Sequence, residues 1–196
     1  MRKSLMSLKQ TSLPFYAFIV CISLIAVEGF SQTSIDREFE PNEKYPFGRL
    51  NPEAPGETKE FSFMIGEFVC EEEFFLPQEG KWIKFPAVWS AKYFLNGRGI
   101  IDQYWSPTFS TSNVRIFDAN ERKWIVTFFR MPGFAASPVW RGSKEGENLV
   151  MRQGDEKKGT RLTFSNIAKD RFDWKGESIT DGKANAFWTS KCERRS

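Results

Sequence analysis

Arginine, aspartate and tryptophan recur in this chain at a spacing that could build a binding floor. In the stretch 98–105, Arg98, Ile100, Asp102 and Tyr104 alternate with other residues. If that stretch is extended they share one face, and a guanidinium and a carboxyl enter the same space together. Arg115 and Arg130 stand in other apolar stretches, as do Trp105, Trp124, Trp140, Trp174 and Glu177. A guanidinium presents a planar fork that holds a carboxylate or phosphate through two parallel hydrogen bonds. Walled by tryptophans, Arg98 and Arg115 would orient the anionic head of a small apolar ligand. Two other readings use the same residues. Asp102 and Glu177 would form a general acid/base pair if their surroundings pushed their pKa values apart. Alternatively, the charges pair on an outer face or plug one end of a solid barrel, where exposed ion pairs are common and contribute little.

The elements that must position these residues read as strands. Segments 67–75, 86–95, 98–105, 112–118, 123–130, 137–143, 147–153, 159–166, 170–178 and 185–193 are rich in Phe, Trp, Val, Ile and Thr and are separated by turn residues. Asn96-Gly97 and Asp181-Gly182 are hairpin signals, and Asp118-Ala119-Asn120-Glu121 and Lys144-Glu145-Gly146 are longer turns. Strands so joined run antiparallel. No helix is long enough to cover a sheet, so the edges must be removed by closure or by pairing two sheets, and up-and-down order favours a closed barrel of about ten strands. The 20 Phe, 7 Trp and 4 Tyr are more rings than a surface this size exposes, which suits an aromatic interior. Trp124, Val126, Phe128 and Arg130 share one side of their strand and Ile125, Thr127 and Phe129 the other; both sides are partly apolar, so parity leaves the inward face open.

Before the strands, Phe61, Met64 and Ile65 are spaced for a short helical turn that Gly66 would stop. Residues 32–57 are polar, carry Pro41, Pro46, Pro52 and Pro55, and predict an extended, poorly ordered lead-in to a barrel domain spanning 58–196. Residues 1–31 have the form of a secretory signal peptide: Arg2, Lys3 and Lys9 precede the apolar run Leu13–Val27, followed by Gly29-Phe30-Ser31. That run is shorter than the roughly 20 residues that span a bilayer, so no membrane span is expected after cleavage at Ser31. Cys21 is not a lipidation site, because the apolar run continues beyond it. The expected location is therefore periplasmic or secreted.

Composition excludes several classes. Losing residues 1–31 takes the net charge from +3 to +1, which is not a nucleic-acid binder's charge. No histidine is present, so a His-ligated haem, a His-based zinc site and a Ser-His-Asp triad are ruled out, and neither metal nor cofactor is expected. Glu71-Glu72-Glu73 point to alternate faces of a strand and cannot converge on one ion, which predicts a solvated edge. Cys70 in the first strand and Cys192 in the last become neighbours if the barrel closes, and either form a disulfide or serve as small core residues. The apolar loop Met131–Ala136 would sit at a rim, as a lid or as a contact surface for a non-catalytic interaction module.

Several of these residues also form a pattern. Phe63-Met64-Ile65-Gly66-Glu67-Phe68, the stretch Leu95–Trp105 with its glycine, arginine, aspartate and tryptophan, Val114–Asp118 followed by Lys123-Trp124, Phe172–Ser178 and the closing Arg194-Arg195 together resemble the DUF1579-type family of bacterial proteins. The similarity covers 61–195. The resemblance implies a lipocalin-like (calycin) barrel and no assigned activity. Gly66-Glu67-Phe68 is similar to the glycine-x-tryptophan that opens lipocalins, with phenylalanine in place of the tryptophan.

Overall fold

The structure, a computed structural model, describes residues 36–133, 135–136 and 138–195. The expected leader and its cleavage point lie outside the described residues.

A 3-10 helix, η1 (Gly56–Met64), leads into β1 (Gly66–Leu76), β2 (Lys81–Phe94), β3 (Gly99–Trp105), β4 (Ser110–Asp118), β5 (Lys123–Met131), β6 (Ala135–Ala136), β7 (Trp140–Glu145), β8 (Asn148–Gly154), β9 (Lys158–Ser165), β10 (Arg171–Thr180) and β11 (Lys183–Arg194). Neighbours pair antiparallel, β5 passes on to β7, and β11 returns to β1. Ten strands thus close a barrel. The two-residue β6 pairs with β5 at Phe129 and Arg130, beyond the stretch Trp124–Val126 that pairs with β7.

Three of the departures from the sequence expectation have a plain physical reason. The sixth strand begins at Trp140 rather than 137, since Pro138 has no N–H to give the ladder. The second strand starts at Lys81 and runs through Pro86, which lies past the last β3 partner at Val88, so no bond on that side is lost. The Asn96-Gly97 turn is longer than a two-residue hairpin: Leu95, Asn96 and Gly97 all take positive φ, and Phe94 and Gly99 form the closing pair. Asp181-Gly182, by contrast, is the expected two-residue loop, with both φ values positive between paired Thr180 and Lys183.

The lead-in is irregular but bound to the barrel, unlike the loose segment its composition predicts. Phe39 N donates to Asn96 Oδ1 (2.9 Å), Asn51 N to the Gly97 carbonyl (3.1 Å) and Tyr93 N to the Phe47 carbonyl (2.9 Å). Gly97 permits this contact, because a Cβ there would lie 2.3 Å from the Arg49 carbonyl oxygen.

Alternation along the strands decides which residues point inward. Phe68, Cys70 and Glu72 on β1 are buried, as are Ile100, Asp102 and Tyr104 on β3 and Trp124 and Val126 on β5. The barrel is plugged at one end by η1. Phe61 packs edge-on against Trp124 (4.7 Å) and Phe164 (5.3 Å), and Phe63 against Phe172 (5.2 Å). Arg194 fastens the plug: its guanidinium lies over the Phe68 ring at 4.5 Å and donates to the Phe63 and Ile65 carbonyls. Across the β1–β11 seam, Cys70 and Cys192 are register partners joined by a disulfide, with Cα atoms 4.1 Å apart.

Candidate functional site

Above the plug the barrel is hollow. A cavity of about 320 Å3 is lined by Trp89, Trp140, Trp174 and Trp188, by the aliphatic Val126, Met151 and Leu162, and by a few polar groups, Thr111, Asn113, Arg115, Thr160 and Ser190 among them. A second hollow of about 610 Å3 shares Phe128 and Trp188 with it and lies toward the β1–β2 turn, among Phe74, Ile83, Phe109 and Arg130. The side chains that line a cavity and those stacked behind them form two separate polar groups.

The first group sits on the plug. Asp102 and Arg115, 1 % and 4 % exposed, form an ion pair of 2.7 Å through Arg115 Nε. Asp102 also accepts hydrogen bonds from Trp89 Nε1 (2.9 Å) and Asn113 Nδ2 (2.7 Å). The Arg115 guanidinium lies over the Phe61 and Phe164 rings at 5.0 and 5.4 Å. Charge is balanced within this group, and both oxygens of the carboxyl have donors.

The second group is at Glu72, which is 1 % exposed and faces Ser190 across the β1–β11 seam. Its Oε2 accepts from Trp188 Nε1 (2.5 Å) and from the Ser190 hydroxyl. Its Oε1 has no hydrogen-bond partner among the described residues. The Tyr104 hydroxyl lies close enough that burial and the Glu72 charge together push the phenol's pKa up, yet it completes no hydrogen bond of normal geometry. Burial raises the Glu72 pKa above the usual carboxylate range, and the neighbouring hydrogen-bond donors only partly offset it. A Glu72 oxygen and the two sulfurs of Cys70 and Cys192 lie within 4.8 Å of one another. Both sulfurs are consumed by the disulfide, so the cluster does not form a thiolate metal site.

The residues singled out from sequence separate into two sets. Arg115, Trp140 and Trp174 line the cavity, and Asp102 is buried behind Arg115 and Trp89. Arg130 stands in the outer hollow over the Phe109 ring at 5.1 Å. Trp124 belongs to the plug, where its Nε1 donates to Glu60 (2.9 Å). Three lie outside. Arg98 falls in the long Leu95–Arg98 turn, before alternation begins at Gly99, and pairs with Glu53. Trp105 is 41 % exposed on the outer face. Glu177 is register partner to Arg161 and forms ion pairs with Arg161 and Lys175, which outweigh its burial and hold its pKa below the usual value. Asp102 and Glu177 therefore do not face each other, and no acid/base pair is assembled from them.

Glu72 is the site residue that the sequence patterns do not mark. The run Glu71-Glu72-Glu73 predicts a solvated edge, and Glu71 and Glu73 do point outward, Glu73 to Lys84 at 2.6 Å. Glu72, however, shares a strand face with Phe68, Cys70 and Phe74, and that alternation was the available signal.

In three dimensions the chain is similar to the crystal structure of Rv2717c from M. tuberculosis, with a TM-score of 0.50 and 9 % identity over 73 % of this chain and 99 % of that one. It is also similar to the S-type phycobiliprotein lyase CPES from Guillardia theta, with a TM-score of 0.48 and 12 % identity over 72 % of this chain and 98 % of that one. No family model matches the chain, and no curated protein matches its sequence. The DUF1579-type resemblance accordingly rests on the motif residues alone. At such identities the likeness concerns the fold, and this chain is a lipocalin-like antiparallel barrel.

Proposed function

We propose that this chain is an exported barrel that binds one small, largely apolar molecule in its interior. The observation that carries the reading is the aromatic cavity of about 320 Å3 above the η1 plug. That volume lies at the low end of ligand-binding pockets and equals the space of about ten waters. Four tryptophan rings with a few placed polar groups is the composition of a small-molecule site rather than of a filled core. Export rests on the leader residues and is supported by the Cys70–Cys192 disulfide, which suits an oxidising compartment.

The test is titration with the neutral fluorophore N-phenyl-1-naphthylamine. Saturable one-to-one binding, with energy transfer from tryptophan, is expected for the native chain. Thr160→Trp, which fills the cavity from β9, should abolish it while the protein remains folded by circular dichroism. Undiminished binding by that variant would place the dye outside the barrel and overturn the reading.

A further inference from the structure

We infer that the cavity ligand carries a neutral carbonyl oxygen on its apolar ring skeleton, held by the terminal amino groups of Arg115. This rests on the ligand-binding reading above and adds the chemistry of the ligand's polar end.

Arg115 is 4 % exposed, and among the described residues that line the cavity it alone is charged. Its Nε donates to Asp102 Oδ2 at 2.7 Å, but Nη1 and Nη2 donate to no acceptor among the described residues. Neither of these nitrogens is sealed off by packed atoms, as Tyr104 Oη is. Phe61 of the plug covers the guanidinium on one side, with its ring centre 5.0 Å away, and on the other side Arg115 reaches the cavity. N–H donors buried without an acceptor are costly. A ligand that fills the cavity displaces any water bonded to them, so it must bring an acceptor of its own or leave them unpaired.

The walls agree that the ligand has one polar end and one place for it. Thr111, Asn113 and Arg115 alternate along β4 and all line the cavity, a polar stripe on a single strand. Met151, Leu162 and Trp174, from β8, β9 and β10, supply apolar wall.

Charge decides between a carbonyl and a carboxylate. Asp102 already balances Arg115, so a carboxylate in the cavity would be a second anion on one cation, and burying an unmatched charge is costly. Arg130 does not relieve this, because it is exposed in the outer hollow, over the Phe109 ring. A carbonyl oxygen accepts charge-assisted hydrogen bonds from Arg115 and leaves the charge balance unchanged. An ammonium group is excluded by the same donors, since it brings more N–H groups and no acceptor.

The experiment compares three naphthalenes of similar shape, acetylnaphthalene, isopropenylnaphthalene and naphthoate, by calorimetric titration of the full mature chain. The ketone should bind about tenfold or more tightly than the acid, a difference of about 1.4 kcal/mol or greater. Infrared difference spectra of the bound ketone should show its carbonyl stretch at lower frequency than in hydrocarbon solvent. In Arg115→Met the affinity of the ketone relative to the alkene should fall about tenfold, and the stretch should return toward its solvent value. An acid that binds the native protein as tightly as the ketone would overturn the inference. So would a native carbonyl stretch at its hydrocarbon value, or a ketone-to-alkene ratio unchanged in folded Arg115→Met. If that variant does not fold, the native order of the ketone and the acid and the native carbonyl frequency decide. Any of these contrary results, with the neutral fluorophore still bound, ends this inference and leaves the cavity reading standing; binding by neither the fluorophore nor any of the naphthalenes would end both.

Discussion

Asp102 and Glu72 are carboxyls buried to the same degree inside one barrel, yet they have opposite surroundings. Asp102 holds three side-chain donors, one of them Arg115. Glu72 holds two neutral donors on one oxygen and none on the other. The first arrangement is complete and ties β2, β3 and β4 together over the plug. The second is incomplete and lies behind Tyr104, Trp188 and Ser190, which line the aromatic cavity. The contrast teaches that burial alone does not set a carboxyl's chemistry: one whose cation and donors are all present stays ionised as architecture, and one without a cation is driven toward its neutral form.

The largest effect should come from opening the seam that carries Glu72 and Ser190. The disulfide closes a sequence separation of 122 residues, for which the chain-entropy estimate is about 4–5 kcal/mol. Changing both Cys70 and Cys192 to alanine should lower the unfolding free energy by about that amount in urea titrations. Because the barrel closes at this seam, the loss should disturb both carboxyl sites. In the native protein a thiol assay on denatured, unreduced mature chain should find neither cysteine free.

The next change separates the two carboxyls. Arg115→Met leaves Asp102 buried without its cation and should cost about 3–5 kcal/mol. Glu72→Gln removes a charge that has no partner, and stability at neutral pH should hold or rise. Equal losses from the two variants, read from the same denaturant curves, would erase the distinction between a completed pair and an open one.

The smallest effect concerns pH and contrasts Glu72 with Glu177. The pKa of Glu72 is raised in the fold, so the native state holds that proton more tightly than the unfolded chain does. Its contribution is present at and below the ordinary carboxylate range and is lost as pH rises through the raised value. Glu177 has its pKa lowered, so its contribution is present above the ordinary range and is lost as pH falls. In melts across a pH series, Glu72→Gln should flatten the decline on the rising side. Glu177→Gln should flatten the acid limb by no more than about 1 kcal/mol, since Arg161 and Lys175 are partly exposed and screened. An acid limb unaffected by Glu177→Gln, or a rising-side slope that survives Glu72→Gln, would show that other groups carry the dependence.

Much of the barrel was legible because strand chemistry is local. The period-two pattern in Trp124, Val126 and Phe128 and the Asp181-Gly182 turn needed only neighbouring residues to be read. Site residues were less legible. Arg98 shares parity with Asp102 but points outward to Glu53, because three successive left-handed residues delay the strand to Gly99. Glu177 lies on an apolar strand as Asp102 does, yet belongs with Arg161 and Lys175 on the outer face. Glu72 was hidden between two outward glutamates, whose exposure made the whole run look solvated.

By itself, the sequence determined the strand order, the turn positions, the aromatic interior and the meeting of Cys70 with Cys192 once the ends of the sheet join. Those features follow from local propensity and from the need to leave no edge unpaired. Only the tertiary structure decided that Arg115 goes to Asp102 and that Glu72 goes without. Inward-pointing side chains from non-neighbouring strands meet across the barrel, and which of them reach hydrogen-bonding distance depends on shear, bulges and the depth of the plug, none of which is written in any one segment.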